Sequence, residues 1–487
     1  MTRKRFSEYA LAAVSGLLLA FTFAPFYHPA LAWVALAPLY YAVTACRGAN
    51  AAGRRGAAAG LVFYAAALSW MPNVVHYMAF PFWSIFALWL ALHAWLLKAL
   101  WGIFERRGVT QARALLWALA AGVTWTGIEY FRAEVWPLRC PWLALGYSQA
   151  SFPAVYQTLS LWGVYGLSGL IAAVNAGWAL LPRRRFPWLP AAVFTAALVA
   201  SVSWGRWRLA TVPAENGAPL TAALVQAESA SIDEQAAYSL TPEAAAADLL
   251  VWPEYSVYVP PGENGERTVL RYLEKKLKPS KAVTVIGAAV LPGGVPGARR
   301  QNYALVLGRD KKKIGRYDKM QPVQFVETGL RGDPRPAPVA TPLGALGIQI
   351  CYDLAFESGA RRVARQGARL LVTPTLDPAE WGELQHRQHS DMSSARAVET
   401  GLWLVRAASS GWSQVIDRLG FTRASLPMGR QGVLVATAYA GPGGTFYTAF
   451  GWLLAPLCLL LTLAAAAAAL AGEFTGKKGE HGHDLRS

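Results

Sequence analysis

Three segments in the second half of the chain carry side chains that together could do acyl-transfer chemistry. ADLLVWPEY holds Glu254, GRYDKMQPVQFVE holds Lys319, and LGIQICYDLAF holds Cys351. A thiolate is a nucleophile, a carboxylate can take the thiol proton, and an ammonium can stabilise the oxyanion of a tetrahedral intermediate. A free thiol has a pKa near about 8.5, so a neighbouring base or cation must favour the thiolate at neutral pH. Glu254 can act as that base and later deprotonate an attacking amine. Lys319 and the backbone N–H after Cys351 can serve as oxyanion donors. Taken singly, these are a strand-end Glu, a hairpin Lys and a buried Cys behaving as a small hydrophobe. Their joint occurrence in this order points to a site.

The surrounding pattern says what positions them. Glu254 and Cys351 each stand where a buried apolar run ends, as at the C-terminal edge of a parallel-type strand. From Pro219 onward, short apolar strands alternate with helical stretches. The strands are LTAALVQ, LLVW, AVTVIGAAV, the hairpin NYALVLGRDKKKIGRYDK, LGIQICYD, ARLLVTPT and LWLVRAAS. That alternation predicts an α/β fold, an αββα sandwich. Lys311–Lys313 falls at the hairpin turn and reads as a solvated face. His386 and His389 lie three apart with no third ligand evident in the sequence, so no metal is expected, and no cofactor. The four cysteines show no disulfide or zinc spacing. Cys46 and Cys458 fall in apolar runs, which leaves Cys140 and Cys351 to face another compartment.

At 487 residues the chain is too long for one ordinary domain. Residues 1–204 are apolar and rich in Trp, Ala and Leu. Residues 205–447 read as a globular domain, with 28 Lys+Arg against 22 Asp+Glu, and 448–487 hold a last apolar run and a polar tail. A spanning helix needs about 20 apolar residues. Runs at 8–24, 29–46, 56–71, 82–104, 112–131, 158–181, 187–204 and 448–471 predict about eight transmembrane helices, seven of them before the globular domain. The first is preceded by Arg3, Lys4 and Arg5, but no clean cleavage site follows, so it reads as a retained helix rather than a signal peptide.

Basic residues alternate by loop. Arg47, Arg54 and Arg55 follow the second run, while Arg106, Arg107 and Arg113 surround the turn from the fourth to the fifth. Arg183, Arg184 and Arg185 follow the sixth, and Lys477, Lys478 and Arg486 lie in the tail. The positive-inside rule then puts both termini in the cytoplasm and the globular domain outside. The net charge of +17 is therefore a topology signal, and its placement argues against nucleic-acid binding. A soluble helical domain would need solvated helix faces that these runs lack. A transporter would carry ionisable or broken helices at depth; His93, Lys98 and Glu129 are the candidates, and no paired broken helices accompany them.

The constellation and its order resemble the nitrilase, or carbon-nitrogen hydrolase, superfamily. With seven spans before it and one after, the whole chain resembles the apolipoprotein N-acyltransferase family. Trp252-Pro253-Glu254 matches that family's Pro-Glu motif, and Tyr317, Lys319, Pro322, Phe325 and Glu327 match its Tyr-x-Lys segment. Cys351-Tyr352-Asp353 matches its Cys-Tyr-Glu signature, with Asp one methylene shorter. Gln388, His389, Arg396, Ala397 and Glu399 echo a later stretch, as do Arg406–Gly411, Ile416, Asp417 and Gly420. QAESASIDEQ and TPTLDPAEWGELQ depart from the family, the second replacing its Asn-Asp-Ala-Trp-Phe stretch and containing Trp381.

The resemblance implies catalytic Glu254, Lys319 and Cys351, supported by Glu327, Tyr352 and Asp353. It implies a monomer in a bacterial inner membrane with a phospholipid acyl donor and a diacylglyceryl-apolipoprotein acceptor. Phe26, Tyr27, Trp70, Tyr77, Phe80, Phe82, Trp83, Trp136 and Trp142 would form an aromatic belt at the outer interface, as anchors or as guides for an acyl chain. The runner-up readings are a membrane-tethered amidase using water, and a degenerate paralogue that binds lipoproteins without turnover.

Overall fold

A computed structural model describes residues 3–183, 187–262, 264–291, 299–330, 332–333 and 335–483, with side chains placed from residue 7 to residue 471 of that set. The side chains of Arg3, Lys4, Arg5, Arg184, Arg185, Lys477, Lys478, His481, His483 and Arg486, used above or found in the tail, lie outside it.

Strands β1 (Ala218–Gln226), β2 (Leu249–Val251), β3 (Val257–Tyr258), β4 (Val283–Val290), β5 (Gln301–Leu307) and β6 (Lys313–Asp318) are followed by β7 (Leu346–Ile348), β8 (Leu370–Thr375), β9 (Leu404–Ala408), β10 (Ser413–Ile416), β11 (Thr422–Leu426) and β12 (Gly432–Ala440). One sheet runs β12-β1-β2-β4-β5-β6, with β3 also on β4; the other runs β11-β10-β9-β8-β7. β1, β2 and β4 are parallel, as are β7, β8 and β9, and the edges are antiparallel. Central strands such as β4 are buried along their length. That is why they read as unbroken apolar runs, both faces being covered.

The inner faces meet through Leu224, Val251, Val285, Ile348, Val372 and Val405. Helix α9 (Gly265–Leu277) covers the outer face of the first sheet with Val269, Leu273 and Leu277. Helices α10 (Glu357–Arg365) and α11 (Glu383–Thr400) cover the second with Val363 and Ala397. The result is an αββα sandwich.

One expectation fails locally. Lys311 is 3% exposed, not solvated. Its Nζ donates to Ala282 O at 2.5 Å and Thr284 Oγ1 at 3.2 Å, and burial lowers its pKa to about 8. A basic run at a hairpin does not say which member the neighbouring strand's end will capture. Lys313 does stay at the surface, paired with Glu266.

The helical part contains α1 (Arg3–Phe21), α2 (Ala37–Ala45), α3 (Ala49–Ala67), α4 (Ala79–Arg106), α5 (Gln111–Tyr130), α6 (Leu159–Leu180) and α7 (Leu189–Thr211); α8 (Ile232–Ser239) lies in the sandwich and α12 (Leu454–His483) closes the chain. Each of the eight apolar runs is helical. Among the described residues, four helical stretches are long and apolar enough to cross a membrane: Met71–Arg106, Leu159–Leu180, Leu189–Thr211 and Gly451–Ala471. Ser7–Phe21 and Pro29–Ala45 are shorter, and α3 and α5, with Arg54, Arg55, Arg113, Glu129 and much alanine, are less apolar.

Close packing explains that composition. A Cβ on Gly56 would sit 2.5 Å from Leu90 O, so α3 and α4 touch backbone to backbone as small residues permit. Arg55 of α3 is buried against Glu8 of α1 at 2.5 Å. Leu17, Leu61, Leu88, Leu116, Leu457 and Leu460 are exposed on the outward faces. The apolar core of this bundle continues into Met320, Phe356, Met392 and Val398 of the sandwich.

Candidate active site

Glu254 follows β2, Lys319 follows β6 and Cys351 follows β7, so three strand ends deliver them. A close approach sets the first. A Cβ on Gly287 of β4 would lie 2.2 Å from Pro253 O and 2.4 Å from Glu254 Cα, so only glycine lets the Glu254 backbone lie against β4.

Both side chains of the Glu254–Lys319 pair are 1% exposed. Lys319 Nζ lies 2.8 Å from Glu254 Oε1 and 2.7 Å from Glu327 Oε2. Asn302 Nδ2 donates to Glu254 Oε1 at 2.6 Å and to Glu327 Oε1 at 2.8 Å. The Tyr255 hydroxyl and the Val323 N–H also donate to Glu327, at 2.6 and 2.7 Å. Burial alone would lower the Lys319 pKa, but Glu254 and Glu327 hold it well above its ordinary value. Burial would raise Glu327, and Lys319 brings it below its usual range. One cation thus sits between two buried carboxylates, and its charge is what brings Glu327 down.

Cys351 begins a 3-10 turn (Cys351–Ala355) at φ +48°. A non-glycine residue there stores about 1–3 kcal/mol of strain. Its Sγ lies 3.5 Å from Leu376 O, and the Leu376 N–H donates to Glu254 Oε2 at 2.9 Å. Leu376 therefore joins nucleophile and carboxylate through its two backbone groups. Burial first, then the Glu254 charge, push the Cys351 thiol well above its ordinary pKa, against the pull of Lys319.

Asp353 ties the two loops together. Its carboxylate accepts from the Tyr317 hydroxyl (3.0 Å) and from the N–H groups of Met320 (3.2 Å), Gln321 (2.6 Å) and Ile350 (3.0 Å). The shorter Asp is therefore fully used, and burial raises its pKa to about 7 despite Lys319. Tyr352 stands apart from that cluster. Its hydroxyl donates to Arg139 O at 3.0 Å and its ring stacks 6.1 Å from Trp142.

Beside Cys351 opens a cavity of about 100 Å³ shared by both parts of the chain. Trp70, Val75, Phe82, Phe86, Leu138 and Trp142 line one side. Val323, Phe325, Val326, Tyr352, Trp381 and Gln385 line the other, with Cys351 and His389. From the expected aromatic belt, Trp70, Phe82 and Trp142 thus face the thiol's cavity, and Trp381 joins them.

Four contributors went unnamed as site residues at the sequence level: Asn302, Leu376, Asp377 and Arg406. Asp377 carries the same signal as Glu254, a polar residue just past an apolar strand. Asn302 and the Leu376 backbone carry none. The sulfur of Cys351, a carboxylate oxygen of Asp377 and a ring nitrogen of His389 lie within 4.8 Å of one another, so sequence spacing had concealed two neighbours of His389. Arg406 already pairs with Asp377 and lies 3.1 Å from His389 Nδ1. That like charge opposes a divalent cation.

An αββα sandwich with Glu, Lys and Cys at three strand ends, set on an apolar helical bundle, is the class of protein defined here. Residues 221–440 match the carbon-nitrogen hydrolase family, and residues 15–177 match the apolipoprotein N-acyltransferase N-terminal domain. A protein of Geobacter metallireducens named apolipoprotein N-acyltransferase is 32% identical, with 93% of each chain covered. One of Gloeobacter violaceus with the same name is 29% identical, covering 95% of this chain and 94% of its own. The crystal structure of a carbon-nitrogen hydrolase from Helicobacter pylori overlays 45% of this chain and 89% of its own, at 21% identity and a TM-score of 0.37. The chain belongs to the apolipoprotein N-acyltransferase family.

Proposed function

We propose that this protein is an apolipoprotein N-acyltransferase that moves an acyl chain from a membrane phospholipid to the α-amine of a diacylglyceryl cysteine. The observation that carries the reading is the apolar cavity that runs from Phe82 and Trp142 of the helical part to the Cys351 thiol. Such a cavity suits a fatty acyl chain and not a small polar amide.

In the first half-reaction Glu254 takes the Cys351 proton, and the sulfur attacks the ester carbonyl. Lys319, with two of its N–H groups engaged by Glu254 and Glu327, gives the third to the oxyanion. The attack forms the C–S bond; collapse then breaks the ester C–O bond, and Glu254 returns the proton to the lysophospholipid oxygen. In the second, the lipoprotein amine attacks the thioester. A C–N bond forms, the C–S bond breaks, and Glu254 carries the amine proton back to sulfur. Glu327 holds Lys319 in place, Asp353 fixes the Lys319 and Cys351 loops to each other, and Tyr352 lines the acyl path.

Residues 1–204 and 448–487 are proposed to cross a bacterial inner membrane with eight helices, and 205–447 to form the catalytic domain outside. The alternating basic clusters and the exposed leucines support this arrangement. The protein acts as a monomer on two lipid-anchored substrates, with no cofactor.

Mass analysis of a diacylglyceryl-cysteine peptide after incubation with the purified protein and phospholipid tests the reading. The product should gain one acyl group on its amine, with lysophospholipid formed in equal amount. Release of free fatty acid alone would favour a hydrolase, and no change a binding paralogue.

A further inference from the structure

Cys351 holds a positive φ, and its carbonyl oxygen lies 3.3 Å from His389 Nε2. A carbonyl oxygen has no hydrogen to give, so this contact needs the hydrogen on Nε2. Nδ1 of the same ring lies 2.9 Å from Asp377 Oδ1 and 3.1 Å from Arg406 Nη2. With a neutral ring Arg406 donates to Nδ1; with a charged ring Nδ1–H donates to Asp377. In either state Nε2 keeps the hydrogen that reaches Cys351, so the partners select the useful arrangement.

The partners are themselves fixed. Arg406 pairs with Asp377 and donates to Trp412 O at 3.1 Å, and the Asp377 N–H donates to Ser409 Oγ at 3.0 Å. His389, Asp377 and Arg406 are all at most 1% exposed. Trp142 of the helical part lies over the imidazole at 5.5 Å between centroids. A buried chain of three residues, Arg406, Asp377 and His389, thus ends on the backbone of the nucleophile.

We propose that His389 is a positioning residue for acyl transfer, holding the Cys351 carbonyl so that the sulfur stays turned toward Leu376 and Glu254, while Asp377 and Arg406 fix the ring. A strained backbone persists only where its surroundings over-determine it. The Asp353 clamp acts on the Ile350 side of Cys351, through Ile350 N–H at 3.0 Å; His389 acts on the carbonyl side. Small displacements matter here, because a misplacement of about 1 Å can cost on the order of 10²-fold in rate. The proposal rests on Cys351 being the acylated nucleophile.

The test uses the full-length protein in phospholipid nanodiscs, as wild type, His389→Ala, His389→Gln and Asp377→Asn. Single-turnover loading of Cys351 is read by intact mass, over a range of phospholipid content. Alkylation of Cys351 by iodoacetamide, resolved by peptide mass, gives a rate that needs no lipid substrate. His389→Ala is expected to load on the order of 10²-fold more slowly with an unchanged phospholipid dependence. His389→Gln, whose amide N–H can reach the same carbonyl, should recover to within roughly tenfold of wild type, with Asp377→Asn between them. Alkylation should slow in the same order at unchanged melting temperatures. Loading by His389→Ala within twofold of wild type overturns the proposal, as does a glutamine variant as slow as the alanine one. If His389→Ala misfolds, an unchanged alkylation rate in Asp377→Asn overturns it instead. Failure of the wild type to load would remove the acyl-transfer reading, and the alkylation series would still decide the positioning role.

Discussion

Glu254 and Lys319 share a 2.8 Å contact in which both side chains are 1% exposed. Glu254 helps to hold the buried Lys319 ammonium charged, and the reaction needs both groups. Glu254→Gln keeps the shape and removes the base, so N-acylation turnover should fall by about 10²–10⁴-fold. A peptide-acylation assay on detergent-purified protein checks it, and turnover within tenfold of wild type would refute the base assignment. Lys319→Ala should cost stability as well, about 3–5 kcal/mol, because Glu254 and Glu327 would be left buried without their cation. Thermal unfolding of the two variants side by side separates the effects.

The thiol supplies a pH test with a definite sign. Burial and the Glu254 charge raise the Cys351 pKa well above 9, and Lys319 opposes them. Alkylation of Cys351 should therefore increase with pH later than that of a free thiol, which titrates near about 8.5. Glu254→Gln removes a negative charge and should move the rise to lower pH. Lys319→Ala removes a positive one and should move it higher. Peptide-resolved alkylation rates between pH 6 and about 10.5 read the order of the three curves.

Gly287→Ala should inactivate without touching a reacting group. The new methyl would lie 2.4 Å from Glu254 Cα, so the backbone carrying the base must shift. Overpacking of this kind costs about 1–3 kcal/mol, and the misplaced carboxylate should lose most of the turnover. Wild-type kinetics in this variant would mean that Glu254 tolerates a displaced backbone.

Val75 lines the cavity on the helical side. Val75→Phe should shorten the acyl chain that fits beside Cys351. Each methylene kept out of an apolar site costs about 0.8 kcal/mol, so losing room for two should weaken loading from long-chain donors by roughly tenfold. Thioester masses after competition between hexadecanoyl and dodecanoyl phospholipids measure the ratio, and an unchanged ratio would place the chain elsewhere.

Much of the sandwich was legible because its strands are short, apolar on both faces and cleanly separated. Every strand quoted from the sequence as an apolar run is present, and the strand-end rule located Glu254 and Cys351. The remainder depends on contacts that no local pattern encodes. Asn302 looks like any residue that opens a strand, yet its amide bridges Glu254 and Glu327 across separations of 48 and 25 residues. Leu376 contributes only backbone, which a side-chain reading cannot see. Composition gives the Lys311–Lys313 run its charge, and only the fold decides that Lys311 turns inward. The bundle was legible as helices. Hydropathy alone separates four long apolar stretches from α3 and α5, whose glycines and alanines serve contact between helices.

The cavity wall has a consequence for descent. One side is written in residues before 143 and the other in residues after 322, with Phe82 against Phe325 at 5.5 Å and the Tyr352 hydroxyl on Arg139 O. Selection on either side is therefore read through the other. A recombinant that joined these helices to the sandwich of the Geobacter relative, 32% identical, would bring together two half-surfaces with separate histories. The chain should accept changes along this seam in matched pairs, and resist the exchange of whole halves that its bipartite sequence invites.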